Sequence, residues 1–336
     1  MIHLVIVSIL IILSTGAVYY GLTNIGLLPQ QASEQALVID SLFNIQWFFI
    51  SFFFSLIIVF LVYSIIVFRR RPGEQGDGDH FEGNTRLEVI WTVVPLAIVL
   101  GLSVIGAQKL GEVERRDPGA MVVNVTASQF QWSFEYPEYE IVSDELVLPI
   151  DRQVLLRMRS NDVIHSFWVP EFRVKQDVLP GGESFMRELR ITPIEVGENF
   201  KVRCAELCGD GHATMLANVR VREQAAFETW VSSQTCQGTE EECNGQKLAI
   251  EFCTGCHLLD GTAVIAPSWV GVFGSTETMD DGTTILVDEA YLYESIVDPL
   301  AHIVEGYLEI MPQTFGEQLS EQQIEELIAF IMSLAE

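Results

Sequence analysis

From Leu42 to Phe68 the chain carries no charged residue. An apolar run longer than the roughly 20 residues that cross a bilayer folds stably only as a membrane helix, because lipid offers no partner to an unpaired backbone group. A second uncharged run, Val89 to Ala107, contains Pro95, a kink that membrane helices tolerate. Arg69, Arg70 and Arg71 lie between the two runs and mark that loop as cytoplasmic, although Lys109, Arg115 and Arg116 soften the contrast. The expected spans are 42–68 and 87–110, with everything after Gln108 outside the cytoplasm. Residues 1–28 read either as a signal peptide or as an extra transmembrane helix: no lysine or arginine precedes the apolar stretch and no clear A-x-A site follows it.

Past the spans the pattern changes twice. Leu156 and Met158 alternate with Arg157 and Arg159, Phe200 and Val202 with Lys201 and Arg203, and Val219 and Val221 with Arg220 and Arg222. Alternation with a period of two, bounded by turn signals such as Pro180-Gly181-Gly182, predicts a β-sandwich or barrel over 118–222. From Glu223 the chain turns helical. A short helix and a linker (223–245) lead to a small α-helical domain, 246–336, with Lys247 to His257 reading as a helix. Its last helix opens on a Ser320/Gln323 capping box and presents Ile324, Leu327, Ile328 and Ile331 on one face.

The net charge of −27 excludes nucleic-acid binding, which needs a basic footprint. From Glu223 onward there are 21 acidic residues and one basic residue, Lys247. That imbalance is either a solvated acidic surface or a docking face for a basic donor protein.

The six cysteines fall into three close pairs. Cys204 and Cys208 are followed by His212 and Met215. Thiolate with thioether selects copper over hard cations, and imidazole suits copper equally well; zinc prefers a C-x-x-C spacing and has little use for methionine. A single blue-copper site needs one cysteine, so the second thiolate suggests two bridged coppers, and these need a second imidazole. His165 is the only other histidine in the β-domain.

The C-x-E-x-C-G-x-x-H-x-x-M run at 204–215, the His165-Ser166 to Val169-Pro170 segment and the preceding helical hairpin resemble cytochrome c oxidase subunit 2 over roughly residues 40 to 222. The resemblance implies a cupredoxin-like β-barrel holding the dinuclear Cu(A) centre. In it Cys204 and Cys208 would bridge the coppers, His165 and His212 would be terminal ligands, Met215 the weak axial ligand, and Glu206 a ligand through its carbonyl. It further implies a magnesium shared between the Glu206 carboxylate and subunit 1, and a proton-pathway mouth at Glu88, for which a solvated helix-start acid is the plainer reading. In Gln129-Phe130-Gln131-Trp132, which matches the family's aromatic patch, Phe130 replaces the tryptophan that usually receives electrons. Direct docking of a soluble cytochrome on this domain is therefore in doubt.

Cys253-Thr254-Gly255-Cys256-His257 is a c-type haem attachment motif: two thiols bond the haem and the histidine ligates its iron. Met279, Met311 and Met332 are candidates for the sixth ligand. Gly306-Tyr307 to Met311-Pro312 resembles the methionine segment of bacterial class I cytochromes c, which favours Met311. The remaining pair, Cys236 and Cys243, is expected to form a disulfide, since it would lie outside the cytoplasm with no spare histidine nearby.

The whole reading is a multidomain membrane protein: a transmembrane hairpin, a cupredoxin-like Cu(A) barrel and an all-α class I cytochrome c domain. The resemblance implies a proton-translocating oxidase subunit of the bacterial inner membrane, with its copper and haem domains outside the cytoplasm. Its partners would be subunit 1, the other oxidase subunits and an electron donor docking on the acidic haem domain. A nitric oxide reductase complex could use the same ligands. A membrane-anchored copper-delivery protein belongs to another class, but would not require an attached haem.

Overall fold

The computed structural model describes residues 1–73, 75, 80, 82–234, 236–259, 261–263 and 265–335. It divides into two compact units.

The first unit contains Met1–Arg116 together with Glu171–Arg173. Three helices, α1 (Ile2–Asn24), α2 (Glu34–Val67) and α3 (Thr85–Val113), are each long and apolar enough to cross a membrane. The first apolar stretch is therefore a helix, and it packs antiparallel on α2: His3 Nδ1 lies 2.7 Å from the Tyr63 hydroxyl, and the Tyr19 and Phe48 rings meet edge-on. Both later helices extend beyond the uncharged runs because polar caps start them before the apolar residues begin. Ser33 accepts from Ala36 N to open α2, and Asn84 accepts from Arg86 N and Leu87 N to open α3. Arg173 buries its guanidinium on Asp40, at 2.9 and 3.0 Å. The same side chain donates to the carbonyls of Pro29 and Gln30. Such a forked, nearly dry pair fixes geometry more than it adds net stability.

The second unit begins with ten strands: β1 (Met121–Ser128), β2 (Gln131–Tyr136), β3 (Ile141–Ser143), β4 (Leu146–Pro149), β5 (Val154–Ser160), β6 (His165–Trp168), β7 (Lys175–Val178), β8 (Arg187–Ile191), β9 (Gly197–Cys204) and β10 (Leu216–Arg222). They form two mixed five-stranded sheets, ordered β3-β2-β1-β5-β8 and β4-β10-β9-β6-β7. Each alternating run of the sequence is a strand with its apolar side chains buried, among them Leu156, Met158, Val202, Val219 and Val221. The Tyr136 hydroxyl donates to the Val147 carbonyl and accepts from the Val147 N–H, tying β2 to β4 across the sandwich.

Two helices follow, α4 (Gln224–Gln234) and α5 (Glu240–Phe252). The sequence places a short helix and a linker over 223–245, and α4 lies there; the helix expected at 247–257 starts and stops earlier in the structure. Thr239 and Glu242 form a capping box that starts α5 at Glu240. The helix stops at Phe252 because the N–H groups of Cys253 and Thr254 both bond the Ala249 carbonyl, which tightens the chain into a turn before Gly255. The remaining elements are a short ribbon of β11 (Thr276–Thr278) and β12 (Thr284–Leu286), then α6 (Glu289–Val297), α7 (Phe315–Gln318) and α8 (Glu321–Ser333). The ribbon adds a hairpin to an otherwise helical domain: Gly282 takes a positive φ of 82° and Asp281 accepts from Thr283 N at the turn. α8 is capped by Ser320 and Gln323 and buries Ile324, Leu327, Ile328 and Ile331. It crosses α5 so closely that any side chain at Gly245 would run into the Glu326 carbonyl.

Candidate metal and haem sites

Strand β9 ends on Cys204 and β10 begins just after Met215, so the loop between two paired strands carries most of the first site. His165 opens β6, which pairs with β9 beside Cys204. The Cys204 and Cys208 sulfurs lie 3.7 Å apart. His165 Nδ1 is 3.8 Å from Cys204 Sγ, His212 Nδ1 is 3.7 Å from Cys208 Sγ, and Met215 Sδ is 3.8 Å from Cys208 Sγ. The Glu206 carbonyl is 3.2 Å from Cys204 Sγ, while the residue as a whole is exposed. The ligand atoms of His165, Cys204 and Cys208 all fall within 4.8 Å of one another, and all three residues are buried.

Burial and the neighbouring Cys204 thiol push Cys208 up to about 12. A thiol in that setting ionises readily only against a bound cation, and the two adjacent sulfurs suit soft metal ions. The donor set is sulfur and imidazole with a thioether, which fits copper. Asp162 supports the set from behind: its Oδ1 lies 2.7 Å from His165 Nε2, leaving Nδ1 turned towards Cys204. Gln129 donates its backbone N–H to Asp162 Oδ2 at 2.6 Å and its side-chain amide to the Cys208 carbonyl.

The second site begins where α5 ends. Cys256 N and His257 N both bond the Cys253 carbonyl, folding the attachment motif into a compact turn. Burial pushes the Cys253 thiol up to about 12, which suits a sulfur that would end as an uncharged thioether. His257 donates its Nδ1–H to the Pro267 carbonyl at 2.9 Å; since a carbonyl only accepts, Nδ1 carries the proton and Nε2 is free to ligate. Burial also holds this imidazole below its ordinary range, hence neutral. Trp269 stacks on the ring at 5.0 Å. His257, Cys253 and Cys256 line a largely apolar cavity of about 320 Å³, within the range of cofactor sites, and Met311 stands on its wall. Met279 is buried under a bridge to Val304, and Met332 packs on the α5/α8 core; neither lines the cavity. The fit to a covalently held haem is good on these residues.

Elsewhere, Cys236 and Cys243 are joined as a disulfide. Glu88 lies in the first turn of α3, with its carboxylate accepting from Asn84 N, a helix-capping geometry. Nothing in the sequence marks Asp162, Pro267 or Trp269 as supports, because none stands at a diagnostic spacing from the ligand it holds; Gln129 stands out only as part of the aromatic-patch match.

A membrane-anchored chain with a sulfur-rich metal site in a β-sandwich and a haem-attachment turn in a helical domain is a redox subunit by architecture. The model of the cytochrome c oxidase subunit II transmembrane domain matches residues 17–107, that of its periplasmic domain residues 140–221, and that of cytochrome c residues 243–335. The cytochrome c oxidase subunit 2 of Thermostichus vulcanus is 34% identical over 259 residues, covering 61% of this chain and 77% of the relative. That of Synechocystis sp. is 32% identical, covering 68% and 82%. That of Alkalihalophilus pseudofirmus is 31% identical over 311 residues, 86% of this chain and 87% of the relative. The chain belongs to the cytochrome c oxidase subunit 2 family. It is thus a copper- and haem-binding member of a haem-copper oxidase complex alongside subunit 1, anchored in a membrane with its β-domain on the extracytoplasmic side.

Proposed function

We propose that this chain receives electrons from an external donor protein at a haem c and passes them through a dinuclear Cu(A) centre to the haems of subunit 1, in the bacterial inner membrane. The observation that carries the reading is the convergence of two cysteine sulfurs, two imidazole nitrogens and one thioether in the β9–β10 loop and β6. His165, Cys204, Cys208, His212, Met215 and the Glu206 carbonyl would hold the coppers, with residues 118–222 as their domain. Cys253, Cys256, His257 and Met311 would hold the haem within 246–336. When bound, these groups supply reversible one-electron chemistry at potentials set by their ligands. The protein's contribution is to keep the ligands packed and oriented: Asp162 fixes the His165 ring, Pro267 fixes the His257 ring, and the buried core behind them excludes water. The exposed Glu206 carboxylate is available to share a magnesium with subunit 1. Glu88, at the start of α3, would stand at the mouth of a proton pathway.

The test is purification of the intact complex, with metal and haem analysis and turnover on reduced cytochrome c. Oxygen consumption with copper and haem c both present in this chain is expected. Nitric oxide turnover without oxygen turnover would contradict the assignment.

A further inference from the structure

Three consecutive residues of the copper domain, Gln129, Phe130 and Gln131, touch both candidate centres. At one end, the Gln131 side chain accepts from Gly255 N, inside the haem-attachment turn, and donates to the Glu251 carbonyl; both contacts are 2.5 Å. Glu251 lies in the last turn of α5, where carbonyls have no partner within the helix. Gln131 therefore satisfies two backbone groups of the other domain, and it is buried in doing so. At the other end, Gln129 bonds the Cys208 carbonyl and the Asp162 carboxylate that orients His165. Phe130 lies between them, packed so closely over the ligand loop that a side chain at Gly211 would strike its ring, and one at Gly209 would strike the Gln129 amide. All three residues line the cavity of Cys253, Cys256 and His257.

We propose that Gln131 is a positioning residue that pins the haem-attachment turn to the copper domain, making Gln129 and Phe130 the electron junction between the haem cavity and Cys208. The inference rests on the proposed haem and copper sites. An electron crossing here oxidises the haem iron and reduces the copper centre one for one, with no bond broken and no proton moved. The neighbouring Arg159–Glu251 ion pair, at 3.0 Å, is half exposed on the arginine side and contributes little by comparison with two buried hydrogen bonds.

The experiment uses the complete oxidase carrying Gln131→Leu, and separately Gln131→Asn, which keeps the amide but withdraws it by one methylene. Hydrogen exchange is followed across residues 253–257, and the haem-to-copper transfer rate is measured after flash reduction of haem c. Each variant should speed exchange at Gly255 and slow the transfer by about tenfold or more, as loss of two buried hydrogen bonds implies. The haem c potential and the copper spectrum should stay unchanged. Wild-type exchange and rate in both variants would overturn the proposal. Faster exchange at an unchanged transfer rate would reduce Gln131 to a domain clamp and overturn the junction. A slowed rate accompanied by an altered potential or copper spectrum would also overturn it, since the effect would then be on the sites themselves. No transfer in the unaltered complex, with both centres loaded, would overturn the proposed function first.

Discussion

His165 and His257 are held by the same device: one ring nitrogen is tied to a fixed oxygen and the other is left facing the ligand space. The oxygens differ in charge. Asp162 presents a carboxylate to the His165 ring, whereas the neutral Pro267 carbonyl orients His257 in a pocket whose burial keeps the imidazole neutral. Met311 lies on the wall of the same cavity and would, as the proposed sixth ligand, raise the haem potential relative to imidazole. Met311→His should therefore lower the haem c midpoint potential and alter its spectrum; a potentiometric titration matching the unaltered protein would mean that another residue is the ligand. At this scale the sequence was most readable where the chemistry is rare. Cys204, Cys208, His212 and Met215 announce themselves by element and spacing. Asp162, Gln129 and Gln131 do not, because aspartate and glutamine are common surface residues whose role depends on what the fold brings to them.

Strands β9, β10 and β6 turn that local chemistry into a site by fixing three ends of chain side by side. The existence of β9 and β10 followed from the period-two alternation of buried and polar residues, whereas β6, buried at three of its four positions, carries no such pattern. The strand partners did not follow, since β4–β10 and β1–β5 are parallel pairs joining distant segments, which periodicity alone cannot match. Helix ends behaved similarly: the Ser320/Gln323 box marked α8 correctly, but the Thr239/Glu242 box and the early stop at Phe252 moved α5 upstream. Strand β10 also depends on charge. Hydrogen bonds from Arg220 hold Glu145 below the usual glutamate range, and Arg220 with Arg222 do the same for Glu198. A carboxylate with a lowered folded value stabilises the fold above its unfolded pKa, about 4.3, and loses that contribution as pH falls through the folded value. The copper-domain melting temperature should thus fall on acidification below about pH 4.3. Glu145→Gln should melt lower at neutral pH and fall less steeply in acid. Parallel acid slopes in thermal melts of the two proteins would show that this ion pair is not responsible.

For the whole molecule, charge and order of centres are linked. The segment from Glu223 onward concentrates 21 acidic residues against one basic residue. A field of that sign steers a basic donor and is screened over about 8 Å at physiological ionic strength. Electron delivery from a basic cytochrome should slow as salt rises, read as kcat/KM for oxygen consumption; a rate indifferent to salt would leave the acidic surface with a solvating role only. The separate domains were legible in the sequence, but their apposition through Gln131 was not, since no pattern within one domain encodes a contact with another. The proposed function has electrons pass from donor to haem and from haem to copper. The most direct test is flash reduction of haem c in the purified oxidase carrying Cys204→Ser, under oxygen. Haem c should become reduced and stay reduced, with the mixed-valence copper signal gone, while in the unaltered oxidase it reoxidises. Reoxidation of haem c at the unaltered rate in the variant would contradict the account, because electrons would then leave the haem without passing the copper.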